Sequence, residues 1–197
     1  MTKLGIDSYY DHPTRSMCDY RNREVYPKLS SLTTLQRNDA IRPKVETEAI
    51  KPPLEYITAS GHGKGSYFLG NDKNYIWKKK CPLFGGSYYD PKEVENKIIH
   101  LYSCHTAKSL GPDFIKKGCK AFFGYSGRYW VIDSYKDMFF ESDSEIDFAI
   151  EAGENASDVY DRAIRAYNNA IEEAIALDCF DVAEDLSDAR ELLTALY

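Results

Sequence analysis

Short runs of β-branched and aromatic residues recur through the front of the chain, and a helical period of apolar positions takes over from Ser157. Leu4-Gly5-Ile6 opens a first short strand, with the polar Asp11-His12-Pro13 marking a turn behind it. Residues 17–32 predict a helix, weakened by Pro27. Thr33 to Pro53 is charged and holds three prolines, which predicts a surface connection with little regular structure. Leu54 to Ser60 predicts a strand, resting on Tyr56, Ile57 and Thr58. Ser66–Leu69 and Asn74–Trp77 predict a hairpin around Gly70-Asn71-Asp72. A short helix is expected near residues 91–96, then a strand over Lys97–Ser103. A helix starting at Pro112 should stop at Gly118, ahead of a buried strand over Lys120–Tyr125.

In the C-terminal part, Val159, Ala163, Ile164, Ala166, Tyr167, Ala170, Ile171, Ala174 and Ile175 fall at three- and four-residue steps. A second stripe, Phe180, Val182, Ala183, Leu186, Ala189, Leu192, Leu193 and Leu196, predicts another helix after Asp178. Strands interleaved with helices predict an α/β sandwich with a mainly parallel sheet. Residues 1–197 then form one domain, with 154–197 a helical pair packed on the sheet. In such folds ligands bind beyond the carboxyl ends of the strands.

Composition narrows the class. Apolar residues make up 43% of the 197 and charged residues 28%, an ordinary globular balance. A net charge of −6 argues against a nucleic-acid partner, which a basic footprint would announce. No apolar run approaches the roughly 20 residues that span a bilayer, so no membrane partner is expected. The N-terminus lacks the apolar stretch of a signal peptide. Cysteines at 18, 81, 104, 119 and 179 are odd in number and form no CxxC pair. They support neither a disulfide framework nor a zinc knuckle, and a reducing cytoplasmic location is expected.

Two of the predicted strands stop at reactive residues. Ala59-Ser60-Gly61-His62-Gly63 ends in a glycine-flanked histidine, and Leu101-Tyr102-Ser103-Cys104 ends in a thiol. A thiol needs a base to become a thiolate near neutral pH, and a histidine within reach supplies one. Alone, Cys104 reads as a small buried hydrophobe; the histidine 42 residues ahead of it, at 62 against 104, changes that reading. Gly61-His62-Gly63-Lys64-Gly65 also has the look of a phosphate-cradling loop, but such loops lead into a helix and Tyr67-Phe68-Leu69 reads as strand. His100, Cys104 and His105 do not converge as metal ligands, because strand alternation sends 105 to the opposite face. No metal is expected, and His100 is expected to serve packing and hydrogen bonding.

These segments resemble the caspase-like cysteine peptidase clan, which includes caspases, metacaspases, gingipains, clostripain-like enzymes and bacterial CHAT peptidases. Cys104-His105-Thr106-Ala107 is similar to the Cys-His-Ser-Gly run of metacaspases and to runs in CHAT domains, the branches nearest in motif. Phe114 to Gly124 resembles the CHAT-type helix–glycine–strand, and the likeness covers residues 54–127. The caspase signature Gln-Ala-Cys-Arg-Gly is absent, so a preference for cutting after aspartate is not implied.

The resemblance implies a caspase-like three-layer α/β sandwich. It implies Cys104 as nucleophile, His62 as general base and then acid, and an oxyanion hole from the Gly63 and Cys104 amides. It implies no cofactor, a protein or peptide substrate or self-cleavage, and a possible activating partner protein. Asp11, His105 and Arg128 are the candidates for a substrate pocket. Asp7 and Asp11 would favour a basic substrate residue and Arg15 or Arg128 an acidic one, while the resemblance leans to a basic or uncharged one. The competing reading is a catalytically silent interaction module of the same fold, in signalling or defence. A polyanion-activated self-processing domain would need basic surface, for which Lys78-Lys79-Lys80 is the cluster at hand.

Overall fold

The computed structural model describes residues 1–71, 82–85 and 88–197. The first half of the chain forms β1 (Thr2–Asp7), α1 (His12–Tyr20), β2 (Leu32–Gln36), α2 (Arg42–Ala49) and β3 (Leu54–Ser60). Three short strands follow, β4 (Gly63–Lys64), β5 (Tyr67–Phe68) and β6 (Phe84–Gly85). Then come β7 (Ile98–Tyr102), α3 (Thr106–Lys116), β8 (Ala121–Tyr125) and α4 (Lys136–Glu151). The chain ends in α5 (Ala156–Ala176), α6 (Phe180–Leu192) and β9 (Leu193–Leu196).

One six-stranded sheet has the order β2-β1-β3-β7-β8-β9. Every neighbouring pair is parallel except β8 and β9. Central parallel strands are covered on both faces and read as near-continuous apolar runs, which is why β3, β7 and β8 stand out in the sequence. Alternation divides their side chains. Tyr56, Tyr102 and Phe123 join the core under α1, α4, α5 and α6, while Ile57, Leu101 and Phe122 join the core under α2, α3 and the small sheet. That small sheet is antiparallel, in the order β4-β5-β6. Among the described residues no helix is long and apolar enough to cross a membrane.

Several local expectations change. The helix predicted over 17–32 begins earlier, at His12, because Asp11 caps it and Pro13 sits in its first turn. It gives way to a π turn and a 3-10 turn that absorbs Pro27. Residues 33–53 are not irregular. They hold edge strand β2, with only Leu35 buried, and α2, which buries Val45 and Ala49. The helix expected near 91–96 shrinks to a 3-10 turn, Pro91–Glu93. Pro112 falls inside α3 instead of starting it. The predicted final helix breaks at Leu192, and Leu193–Leu196 pair with β8. β5 pairs with β4 and β6, whereas the other predicted hairpin arm, Asn74–Trp77, lies outside the described residues with Lys78-Lys79-Lys80 and Cys81.

The face of the sheet under α4 carries buried charge. Arg21, 1% exposed, lies 3.1 Å from Asp7 and 3.4 Å from Asp147, and donates to Thr58 Oγ1. His100 on β7 sits 3.2 Å from Asp143 and 3.5 Å from Asp147, both on α4. Tyr125 donates to Asp143 at 2.6 Å and Tyr56 to Asp147 at 2.5 Å. Buried charges persist only when paired and hydrogen-bonded, and this network ties β1, β3 and β7 to α4.

Candidate active site

The register of the sheet brings the two reactive residues together. The last pair between β3 and β7 is Ser60↔Tyr102, and Gly61 N–H donates to the Tyr102 carbonyl at 3.3 Å. His62 and Cys104 therefore each lie two residues past the same rung, on strands about 4.8 Å apart. Both line one cleft of about 410 Å³ at the carboxyl ends of the strands.

Glycine is required at Gly63 by close approach. A Cβ there would lie 2.4 Å from the Cys104 carbonyl oxygen and 2.4 Å from Ser103 Oγ, so any side chain would push the histidine turn off the cysteine turn. Gly61 is constrained likewise, its Cβ falling 2.5 Å from Ser8 Oγ. Neither residue has a positive φ, so close approach and not backbone freedom calls for glycine at both. The small sheet then anchors His62: its carbonyl accepts from Leu69 N–H at 2.9 Å, and Gly63 pairs with Phe68.

Cys104 sits one residue before the α3 N-cap, His105, which adopts a left-handed φ of 63°. His105 N–H donates to the Gly127 carbonyl at 2.8 Å, tying the Cys104 turn to the loop after β8. The thiol is free and points to the Tyr129 carbonyl at 3.9 Å. Burial pushes its pKa up, while the Tyr129 contact and the Arg128 charge pull against that rise.

Asp11 is placed where the sequence reading did not expect it. Its Oδ2 lies 2.7 Å from His62 Nε2, and its Oδ1 accepts from Thr14 N–H at 3.1 Å and from Thr14 Oγ1 at 2.7 Å. One carboxylate thus caps α1 and grips the imidazole. Burial raises its pKa, but the bonds from Thr14 and His62 outweigh this and hold it below the ordinary value. An ionised carboxylate at Nε2 fixes the proton on that nitrogen and leaves the lone pair on Nδ1. The N-cap signature Asp11-His12-Pro13-Thr14 was the available signal, since a helix starting after β1 places Asp11 above the strand next to β3.

The other candidates divide. His105 and Arg128 line the cleft, with the Arg128 guanidinium 3.8 Å over the Trp130 ring. Asp7 is fully buried against Arg21, Ser60 and Tyr26, so it is closed to substrate. Arg15 is engaged with the Tyr9 ring and the Tyr10 carbonyl. Among the described residues no group of three or more His, Cys, Asp or Glu could hold a metal ion.

No family model and no curated protein matches the chain. Among solved structures, the complex of Porphyromonas gingivalis RgpB pro- and mature domains superposes with a TM-score of 0.53 at 9% identity. The match covers 98% of this chain and 46% of that one, so the chain spans about half the length of its structural neighbour. A likeness at that identity speaks to the fold alone. The chain has a caspase-like α/β fold, a mainly parallel six-stranded sheet between helices.

Proposed function

We propose that the chain is a cysteine peptidase in which Cys104 is the nucleophile, His62 the general base and then acid, and Asp11 the group that orients His62. The observation that carries this reading is the shared rung of β3 and β7, which leads both residues into one cleft, with Asp11 bonded to the Nε2 of the imidazole. The raised thiol pKa means that Cys104 rests as a neutral thiol. His62 Nδ1 takes its proton as Sγ attacks the scissile carbonyl, and Asp11 stabilises the imidazolium that forms. The oxyanion is received by the Gly63 and Cys104 N–H groups, at the positive end of α3. The imidazolium then protonates the leaving amine, and water hydrolyses the thioester. The substrate is a protein or peptide, this chain included, and cleavage is regulated.

Cys104→Ala and His62→Ala should each abolish cleavage and labelling by peptidyl electrophiles while leaving the circular dichroism spectrum unchanged. Full activity in either variant would sink the mechanism. The raised thiol is also the observation that favours a second reading, a catalytically silent interaction module of the same fold. Failure of every such electrophile to label Cys104 in the folded protein would select that reading.

A further inference from the structure

The cleft that holds His62 and Cys104 also has a wall whose chemistry restricts what it accepts. We propose that the residue bound on the acyl side of the scissile bond is large and uncharged, aromatic or long aliphatic, and that charged side chains are disfavoured; this rests on the peptidase reading above. Met17, Tyr102, Tyr129 and Phe140 line the cleft, and none is more than 8% exposed. The Tyr102 ring packs edge-on against Tyr129 at 5.5 Å and Phe140 at 6.0 Å, which makes this wall a fixed aromatic surface. Val131 extends it, half-buried. An aromatic or long aliphatic side chain gains apolar burial and ring-edge contact there.

Among the described residues a basic side chain finds no free carboxylate in the cleft. Asp133 is the acid on the cleft lining among the described residues. It is 66% exposed and already faces Lys136 at 3.6 Å and His12 at 3.9 Å. Asp11 is committed to His62 and Thr14. Asp143 is 1% exposed and held by His100 and Tyr125. An acidic side chain fares little better. Arg128 lies on the exposed rim over Trp130, where solvent screens it, and Lys136 faces Asp133. A charge pressed on the aromatic wall would be desolvated without a partner. The cleft, about 410 Å³, lies toward the small end of the roughly 300–1,000 Å³ range of ligand sites. It suits one large side chain with its adjoining backbone.

The test uses matched fluorogenic peptides and peptidyl electrophiles that differ only at that residue: phenylalanine, leucine, arginine, aspartate or alanine. The full chain should cleave after phenylalanine or leucine at least about 100-fold faster in kcat/KM than after arginine or aspartate. Val131→Glu adds a carboxylate at a half-buried position on the cleft lining, where it would pair with a basic substrate side chain, and should raise the arginine-to-phenylalanine ratio about tenfold or more. Faster wild-type reaction after arginine or aspartate, or an unchanged ratio in Val131→Glu, overturns the preference and leaves the peptidase reading standing. Labelling of Cys104 by no member of the panel overturns both.

Discussion

Titrating His100 from about pH 6 to about pH 9.5 should weaken the fold, because its positive charge helps hold β7 to α4. His100 is fully buried, and burial alone would depress its pKa. The Asp143 and Asp147 carboxylates, 3.2 and 3.5 Å away, outweigh that and push it up from 6.5 to about 9. A group with a higher pKa folded than unfolded stabilises the fold fully below its unfolded value. That stabilisation drains away as the pH climbs through the folded value. The window for His100 is thus about 6.5 to about 9. At about 1.36 kcal/mol per pH unit, the gap amounts to about 3 kcal/mol, a ceiling because Arg21 and both acids share the network. Urea unfolding of the wild type and of His100→Gln across this range measures it. Glutamine keeps a donor for Asp143 and removes the charge, so the variant should be weaker by about 3 kcal/mol at about pH 6. Its stability should then vary little where the wild type falls. A wild-type curve that is flat or rising through the window, or an equal fall in His100→Gln, would refute the reasoning.

Two further substitutions separate the parts of the site. Asp11→Asn keeps a good N-cap for α1, so stability should change by no more than about 0.5 kcal/mol; kcat should nevertheless fall about 100-fold or more as His62 loses its carboxylate, with a shifted pH–rate profile. Wild-type kinetics in that variant would remove Asp11 from the mechanism. Gly63→Ala sets a methyl 2.4 Å from the Cys104 carbonyl oxygen and Ser103 Oγ. It should cost about 1–3 kcal/mol in denaturant unfolding and take cleavage with it; an unaltered midpoint and rate would contradict the close approach.

What was hard to see in the sequence has physical causes. α4 shows no clean apolar stripe because Ser142, Asp143, Ser144 and Asp147 occupy its buried positions. The two acids are buried because His100, Tyr56 and Tyr125 reach them from β7, β3 and β8 and Arg21 from the turn after α1, partners that no local window contains, while the two serines bond to carbonyls of their own helix. β2 is an edge strand with one buried side chain, so its neighbours read as surface. Leu193 and Leu196 continue a helical stripe in sequence, yet their backbone pairs with Tyr125 and Phe122 of β8. Sheet pairing there overrides a local period.

By itself, the sequence determined β3, β7 and β8, the α/β class, and the histidine and cysteine that end two of the strands. Those features are local, since each apolar run encodes the burial of its own element. The tertiary structure alone decided that β3 and β7 are neighbours in a register that aligns His62 with Cys104. It also decided that Asp11, from the far end of β1, closes on His62. Strand order and side-chain partners across 40 or 50 positions arise from packing the whole core at once, which no local pattern contains.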